Sequence, residues 1–267
     1  MKTKRFGSLF AAVALAAAAR AAISADRQAD APAGAAVSQA IAYAGGESAW
    51  KSKKTVEFRK TVTRFRPDGS VEQKRVETHR YRLMPRLGAR IEREDDGKKV
   101  IFVNDGYTAW KFVDGKPATE QKDVNSARGS TFGSHYVFGM PFKLRDPGVH
   151  LASAGREKLA GGAEVEKIRV TYDKGAGDAG GLHTWTYYFD ATTGRLCANL
   201  LNYENGKYDF TEYYDDQTVA GVRVATRRRG FGADANGKKG PLTSEILYDQ
   251  IRFDVPEPDS LFAPPRS

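Results

Sequence analysis

Residues 181–229 read GLHTWTYYFDATTGRLCANLLNYENGKYDFTEYYDDQTVAGVRVATRRR, and this stretch decides the fold. His183, Trp185, Tyr187 and Phe189 alternate with Thr184, Thr186, Tyr188 and Asp190, the period of a strand with one buried side. The turn that follows ends on Gly194, a residue free to take positive φ. A second strand over 195–203 sets Leu196, Ala198 and Leu200 on one face. Asn205-Gly206 suits a type I′ hairpin turn, and a third strand then stacks Tyr208, Phe210, Glu212 and Tyr214. Asp215-Asp216-Gln217 reads as the next turn, before a fourth strand over 219–229. Successive hairpins build an antiparallel meander. One so rich in large aromatics needs a cover on its apolar face.

Upstream the same texture recurs. Val56, Phe58 and Val62 alternate with charged or hydroxyl residues, Pro67-Asp68-Gly69 turns the chain, and a long charged strand returns over 71–84. Pro85 breaks it. Short strands follow, turned at Asp95-Asp96-Gly97 and Asn104-Asp105-Gly106, the last carrying Trp110 and Phe112 on one face. The period then disappears over 119–142, where one or two short helices are expected. Tyr136, Phe138, Met140 and Phe142 form an apolar cluster there, the best candidate for a lid over the sheet. Another helix is expected over 35–44, stopped by Gly45-Gly46. The predicted fold is mainly β: a single domain over 35–267 whose antiparallel sheet of about ten to twelve strands is strongly curved, an incomplete barrel with an N-terminal helix and a helical insert over its hollow.

Composition narrows the function. With 40% hydrophobic and 11% aromatic residues the 267-residue chain can build a real core, which argues against disorder. Lys2, Lys4, Arg5 and an apolar run over 6–19 read as an export signal across 1–24, followed by an Ala/Pro/Asp-rich lead over 25–34. The apolar run is too short to span a membrane, which takes about 20 residues. No cysteine lies near the cut, so the expectation is a periplasmic protein without a lipid anchor and with no membrane span in its mature chain. Four of the cations behind the +9 net charge sit in that leader. The remaining surplus is modest and favours anionic partners weakly.

Motifs for chemistry are sparse. His79, His135, His150 and His183 lie far apart, with no HExxH, so no metal is expected. G-x-S-x-G is absent, and Ser134-His135 reads as a break in the helical segment. Cys197, the single cysteine, reads as a small buried apolar residue. Arg227-Arg228-Arg229 alternates faces along a strand and reads as a solvated edge or an anionic-lipid contact, not a nucleic-acid site. No catalytic residue and no cofactor is assigned. The aromatics on strand faces and in the insert pack either as ordinary core or around an apolar cavity left by a trough too wide for its own side chains.

Three segments carry a family resemblance: Arg82-Leu-Met-Pro85-Arg-Leu-Gly-Ala-Arg90, Asn104-Asp-Gly-Tyr-Thr-Ala-Trp110, and Phe253-Asp-Val-Pro256-Glu-Pro-Asp-Ser-Leu-Phe262. With the element order, they make residues 35–265 resemble the periplasmic lipoprotein-carrier (LolA-like) superfamily, closest to its uncharacterised exported members. The resemblance implies a half-open barrel that takes up acyl chains, with an arginine facing the hollow to govern lid closure. By spacing that arginine is Arg90. The implied ligand site is Arg90, Trp110, Phe112, Tyr136, Phe138, Met140, Phe142, Trp185, Tyr187, Tyr208 and Phe210. The implied partner is an acyl chain or lipid, with a cell-envelope protein as a further one, bound by a monomer. The alternative is an envelope interaction module whose barrel is filled by side chains.

Overall fold

The computed structural model describes residues 29–264. The expected export signal and the first residues of the lead lie outside them. Asp30 caps helix α1 (Ala31–Tyr43), its carboxylate accepting from the Ala33 N–H at 2.8 Å, with Pro32 in the first turn. The helix thus begins inside the expected lead. Gly45 and Gly46, at φ 111° and 87°, end it. The short helix α2 (Glu47–Lys51) carries Trp50.

Six strands follow as hairpins: β1 (Thr55–Phe65), β2 (Val71–Arg82), β3 (Gly88–Asp95), β4 (Lys98–Asn104), β5 (Ala109–Val113) and β6 (Lys116–Ala118). Helix α3 (Gln121–Phe138) and a 3-10 turn (Phe142–Arg145) intervene. The second half holds β7 (Val149–Lys158), β8 (Glu164–Tyr172), β9 (Thr184–Asp190) and β10 (Leu196–Asn202). It ends with β11 (Tyr208–Val219), β12 (Val222–Ala233) and β13 (Lys239–Phe253). All belong to one 13-stranded sheet in the order β6-β5-β4-β3-β2-β1-β13-β12-β11-β10-β9-β8-β7. Among the described strands, β1 and β13 are the one neighbouring pair not consecutive in the chain, and their pairing sets Val56 beside Phe253 and joins the two halves.

Thirteen strands exceed the ten to twelve expected, partly because Lys116–Ala118 is no turn but a short strand paired with β5. Asp215-Asp216-Gln217 is not a turn either. β11 runs through it to Val219, with Asp215 at φ 57°, and the chain reverses at Ala220-Gly221. The insert is one helix of 18 residues, and Ser134-His135 lies inside it without a break. Its buried face, Ala127, Thr131, His135 and Phe138, has helical spacing but is too small and polar to stand out in the sequence.

The sheet remains open, with β6 and β7 as its edges. β6 is only three residues long and carries Pro117, both of which blunt an edge. At β7, the Asp30 N–H donates to the Leu151 carbonyl at 3.2 Å, and Asp30 Oδ2 accepts from the Ser153 N–H at 2.7 Å. Curvature follows from what α3 touches. Phe138 stacks on Phe58 of β1 at 4.3 Å, while Tyr136 donates to the Tyr172 hydroxyl of β8 at 2.7 Å. β1 and β8 are six strand spacings apart in the sheet order, or roughly 29 Å if it were flat. One helix turn reaches both only if the sheet curls around it.

α1 and α3 lie inside that curl. α1 presents Ala33, Ala36, Val37, Ala40 and Ile41 to the main core. Small residues bring it so close that a Cβ on Gly194, at φ 78°, would sit 2.7 Å from the Gln39 backbone. α3 seats on β3, β4 and β5.

Candidate functional site

The inner wall carries an aromatic ladder on β9. Trp185 stacks on Tyr187 at 5.6 Å and Tyr187 on Phe189 at 6.1 Å. Opposite stands the end of the insert. Phe138 lies between Phe58 and Tyr248, and Phe142 stacks on Trp50 at 5.0 Å. These rings, with Met140, Leu144 and the α1 face, form one continuous apolar cluster.

Of the residues expected at the site, Tyr136, Phe138, Met140, Phe142, Trp185 and Tyr187 share this cluster. The structure puts the others on the outer face of the sheet. Phe210 and Tyr208 pack with Val165, Tyr188, Cys197 and Leu200 behind the ladder. Phe112 and Trp110 pack on Ile101 and Val103, back to back with the Phe102 and Val100 that meet Ala127 of α3. Arg90 is also outside, its Nε donating to Glu92 at 2.7 Å, whereas Ala89 and Ile91 point in. A strand's two faces differ by one residue, so a one-residue error of phase sends a whole strand's side chains to the wrong side.

The arginine that reaches the insert from the sheet is Arg228, the buried middle member of the triplet on β12. Its Nη2 donates to the Val137 carbonyl at 3.1 Å, and its guanidinium lies 4.9 Å from the Tyr213 ring and 4.7 Å from that of Tyr248. Arg227 and Arg229 point outward to Asp215 and Glu245. Alternation along the strand was the available signal, but only the pairing with β13 says which member is inside.

A polar belt crosses the inner wall beside α3. On β2, Glu77 accepts from Arg75 at 2.8 Å and lies 3.2 Å from Lys60 and 3.3 Å from Arg93. His79 links Glu77 and the Tyr81 hydroxyl, each at 2.9 Å. Burial would raise the Glu77 pKa, but the bond to His79 and the neighbouring cations outweigh it and hold the carboxyl well below its usual range. Burial holds His79 down to about 4, against the pull of Glu77. His135 of α3 is held down to about 3, first by burial and then by the charge on Lys143.

α3 is seated largely through polar contacts. Asn104 Nδ2 donates to Thr131 Oγ1 at 3.0 Å, Lys111 to Asp123 at 2.7 Å, and Lys60 to Ser134 at a long 3.5 Å. Its apolar weight is concentrated at its last turn and just beyond. The trough expected to exceed its own side chains is packed by them, with Phe58, Phe138, Tyr187 and Phe189 all buried, and a small pocket of about 30 Å³ lies beside Arg228, Phe138 and Met140, room for about one water. A larger opening of about 250 Å³ lies at the mouth, between α2, the end of β2 and the 3-10 turn, lined by Trp50, Leu83, Met84, His135, Phe142 and Lys143 among others. On the outer face a groove of about 450 Å³ runs over Cys197 and Phe210.

A half-open antiparallel sheet curled round an N-terminal helix and a helical insert is the LolA-like fold, and solved structures bear this out. A LolA superfamily protein from Nitrosomonas europaea superposes with a TM-score of 0.53 at 12% identity, over 84% of this chain and 96% of that one. A DUF1329 family protein from Desulfovibrio piger superposes with a TM-score of 0.55 at 11% identity, over 86% of this chain and 97% of that one. At such identities the likeness speaks for fold alone. A family of unknown function, DUF6503, matches residues 118–214, from the end of β6 through the insert into β11. No curated protein matches the chain. No helix among the described residues is long and apolar enough to cross a membrane.

Proposed function

We propose that this is an exported, non-enzymatic carrier that takes an acyl chain or lipid into the hollow, between the β9 ladder and the end of the insert. The observation that carries the reading is the contrast between the two inner helices. α1 is bedded through small apolar residues at backbone contact, whereas α3 is held largely by polar bonds and, with the segment that follows it, plugs the hollow with Tyr136, Phe138, Met140 and Phe142. Such a plug can leave without unfolding the sheet. Its rings occupy the space an acyl chain would fill. The LolA-like fold supports the reading, and so does the apolar stretch over 6–19.

The test pins the insert. In a Cys197→Ser background, Asn104→Cys with Thr131→Cys places a removable crosslink between β4 and α3. The reduced protein is expected to take up a fluorescent fatty acid and the oxidised protein to exclude it. Equal uptake in both states refutes the gate. The filled hollow favours a second reading, a side-chain-packed module that recruits an envelope partner. Absence of uptake by the reduced protein, with no lipid seen by native mass spectrometry after gentle purification, would select it.

A further inference from the structure

The register of β9 to β12 gathers polar side chains on the inner wall behind the insert. Tyr187 and Asn199 are opposed across β9 and β10, and Tyr213 and Arg228 across β11 and β12. Asn199 Nδ2 donates to the Tyr213 hydroxyl and joins the two pairs into one stripe. All four side chains are buried, yet the Tyr187 hydroxyl, Asn199 Oδ1 and Arg228 Nε have no hydrogen-bond partner among the described residues. Buried polar groups left in this state destabilise a fold unless something else serves them.

Arg228 also carries a charge that the inner wall does not answer. Its strand neighbours Arg227 and Arg229 pair with Asp215 and Glu245, and Lys60, Arg75 and Arg93 of the polar belt converge on Glu77. Arg228 is only 5% exposed, and no carboxylate among the described residues pairs with it. The Tyr213 and Tyr248 rings offer it their faces, and its one hydrogen bond goes to the Val137 carbonyl of the insert. The pocket of about 30 Å³ beside it has room for a water, which accepts a bond but brings no counter-charge. Asp216, the one carboxylate lining that pocket, is exposed and accepts from the Tyr43 hydroxyl at 2.7 Å. Phe138 and Met140 line the same pocket. Withdrawal of the plug would therefore remove the Val137 carbonyl and open the space over the guanidinium together.

We infer that the cargo of the hollow carries an anionic head group, a carboxylate or a phosphate, seated inside against Arg228, Tyr187 and Asn199 in the space that Phe138 and Met140 vacate. This rests on the carrier reading. The head group takes the place of the Val137 carbonyl, accepts from the free Nε and from the Tyr187 hydroxyl, and supplies the missing counter-charge. The Tyr213 hydroxyl can serve either end of the Asn199 amide, so that amide can turn its NH₂ to the anion. A neutral head leaves the guanidinium buried and unpaired once the insert is out.

Three probes of one chain length test it: palmitate, hexadecyl phosphate and hexadecanol, each competed against a neutral fluorescent lipid on the intact protein. One or both anions are expected to bind at least about tenfold more tightly than the alcohol, about 1.4 kcal/mol. Whichever anion leads identifies the head-group chemistry. The readout is the ratio of anion to alcohol affinity, because any loosening of the insert acts on all three probes alike and cancels. In Arg228→Met the ratio is expected to fall below about threefold. Tyr187→Phe removes only the unpartnered oxygen, so it should cost no thermal stability while lowering the ratio about two- to threefold. Equal binding of anions and alcohol to the unmodified protein overturns the inference and leaves the carrier reading intact. A ratio that survives Arg228→Met, or survives Tyr187→Phe should the first variant fail to fold, overturns the assignment to this stripe. Failure of all three probes to bind overturns both readings.

Discussion

Replacing Arg228 by methionine should loosen the insert without loosening the fold. The Arg228 guanidinium touches Tyr213, Tyr248 and the Val137 carbonyl, but only the last contact joins the sheet to the insert. That carbonyl belongs to the final turn of α3, where no helical N–H remains to serve it. A hydrogen bond to a charged donor is worth about 1.5–3 kcal/mol, so its loss should raise the population of the detached insert roughly 10- to 150-fold. Overall stability should change much less. Methionine fills similar space, Arg228 Nε already lacks a partner, and removing a buried charge relieves its desolvation. Hydrogen exchange followed by mass spectrometry separates the two effects. Amides in Gln121–Phe138 should exchange faster by that factor, while those in Ala31–Tyr43 stay within about twofold. If the two helices accelerate together the substitution has weakened the whole domain, and if neither changes Arg228 is no latch.

Acid should destabilise the protein well above the carboxylate range. Burial holds the folded pKa values of His79 and His135 down to about 4 and about 3, so below about pH 6.5 only the unfolded chain binds their protons and stability falls with pH, by roughly 1–3 kcal/mol per unit near pH 5 for the two together. Glu77, whose pKa is depressed, adds to the loss only below the normal carboxylate range; urea midpoints that stay flat from pH 7 to 5 would contradict this. Gly45→Ala, at φ 111° with its new Cβ 2.0 Å from the Gly221 carbonyl oxygen, should lose at least about 2 kcal/mol by thermal melting. Gly69→Ala, at φ 83° in open space, should lose about half that, and equal losses would show that the clash is relieved. In probe displacement, fatty carboxylates shorter than about eight carbons should fail and those above about fifteen succeed, whereas a response independent of chain length refutes exchange with the plug.

What the sequence discloses and what it withholds divide along one physical line. Turn chemistry is local, so Pro67-Asp68-Gly69 and Asn205-Gly206 mark their hairpins without help, with Gly69 and Gly206 at φ 83° and 77°. The β9 ladder is equally plain, because hydroxyl and acidic residues separate its rings. β4 and β5 give no such guide: Val100, Ile101, Phe102 and Val103 are buried in a row, two on each face. Nothing in that run says which face meets α3. Arg90 misleads for the same reason, since the inward residue two turns of alternation away from Ala89 is Arg93, held by Glu77 of β2. Its identity depends on register between strands, which no single strand encodes. The resemblance located the fold correctly, but the arginine that reaches the insert here, Arg228, lies in the other half of the chain from Arg90.

A hollow already filled by its own side chains is compatible with cargo when the filling is exchangeable, and the exchange has a calculable threshold. Tyr136, Phe138, Met140 and Phe142 are all buried in the closed state. Exposing four such side chains costs about 6–12 kcal/mol at roughly 1.5–3 each. Each methylene of an incoming chain returns about 0.8 kcal/mol, so break-even falls at about 8 to 15 methylenes. Both figures scale with the same hydrophobic coefficient, so their ratio is steadier than either value. Partial exposure of the displaced rings moves the threshold down, while ordering of a flexible chain moves it up. On the proposed reading the plug should therefore select by chain length. Short amphiphiles should be refused because they cannot offset the exposure of the side chains they displace, and the closed form should be stable on its own for the same reason.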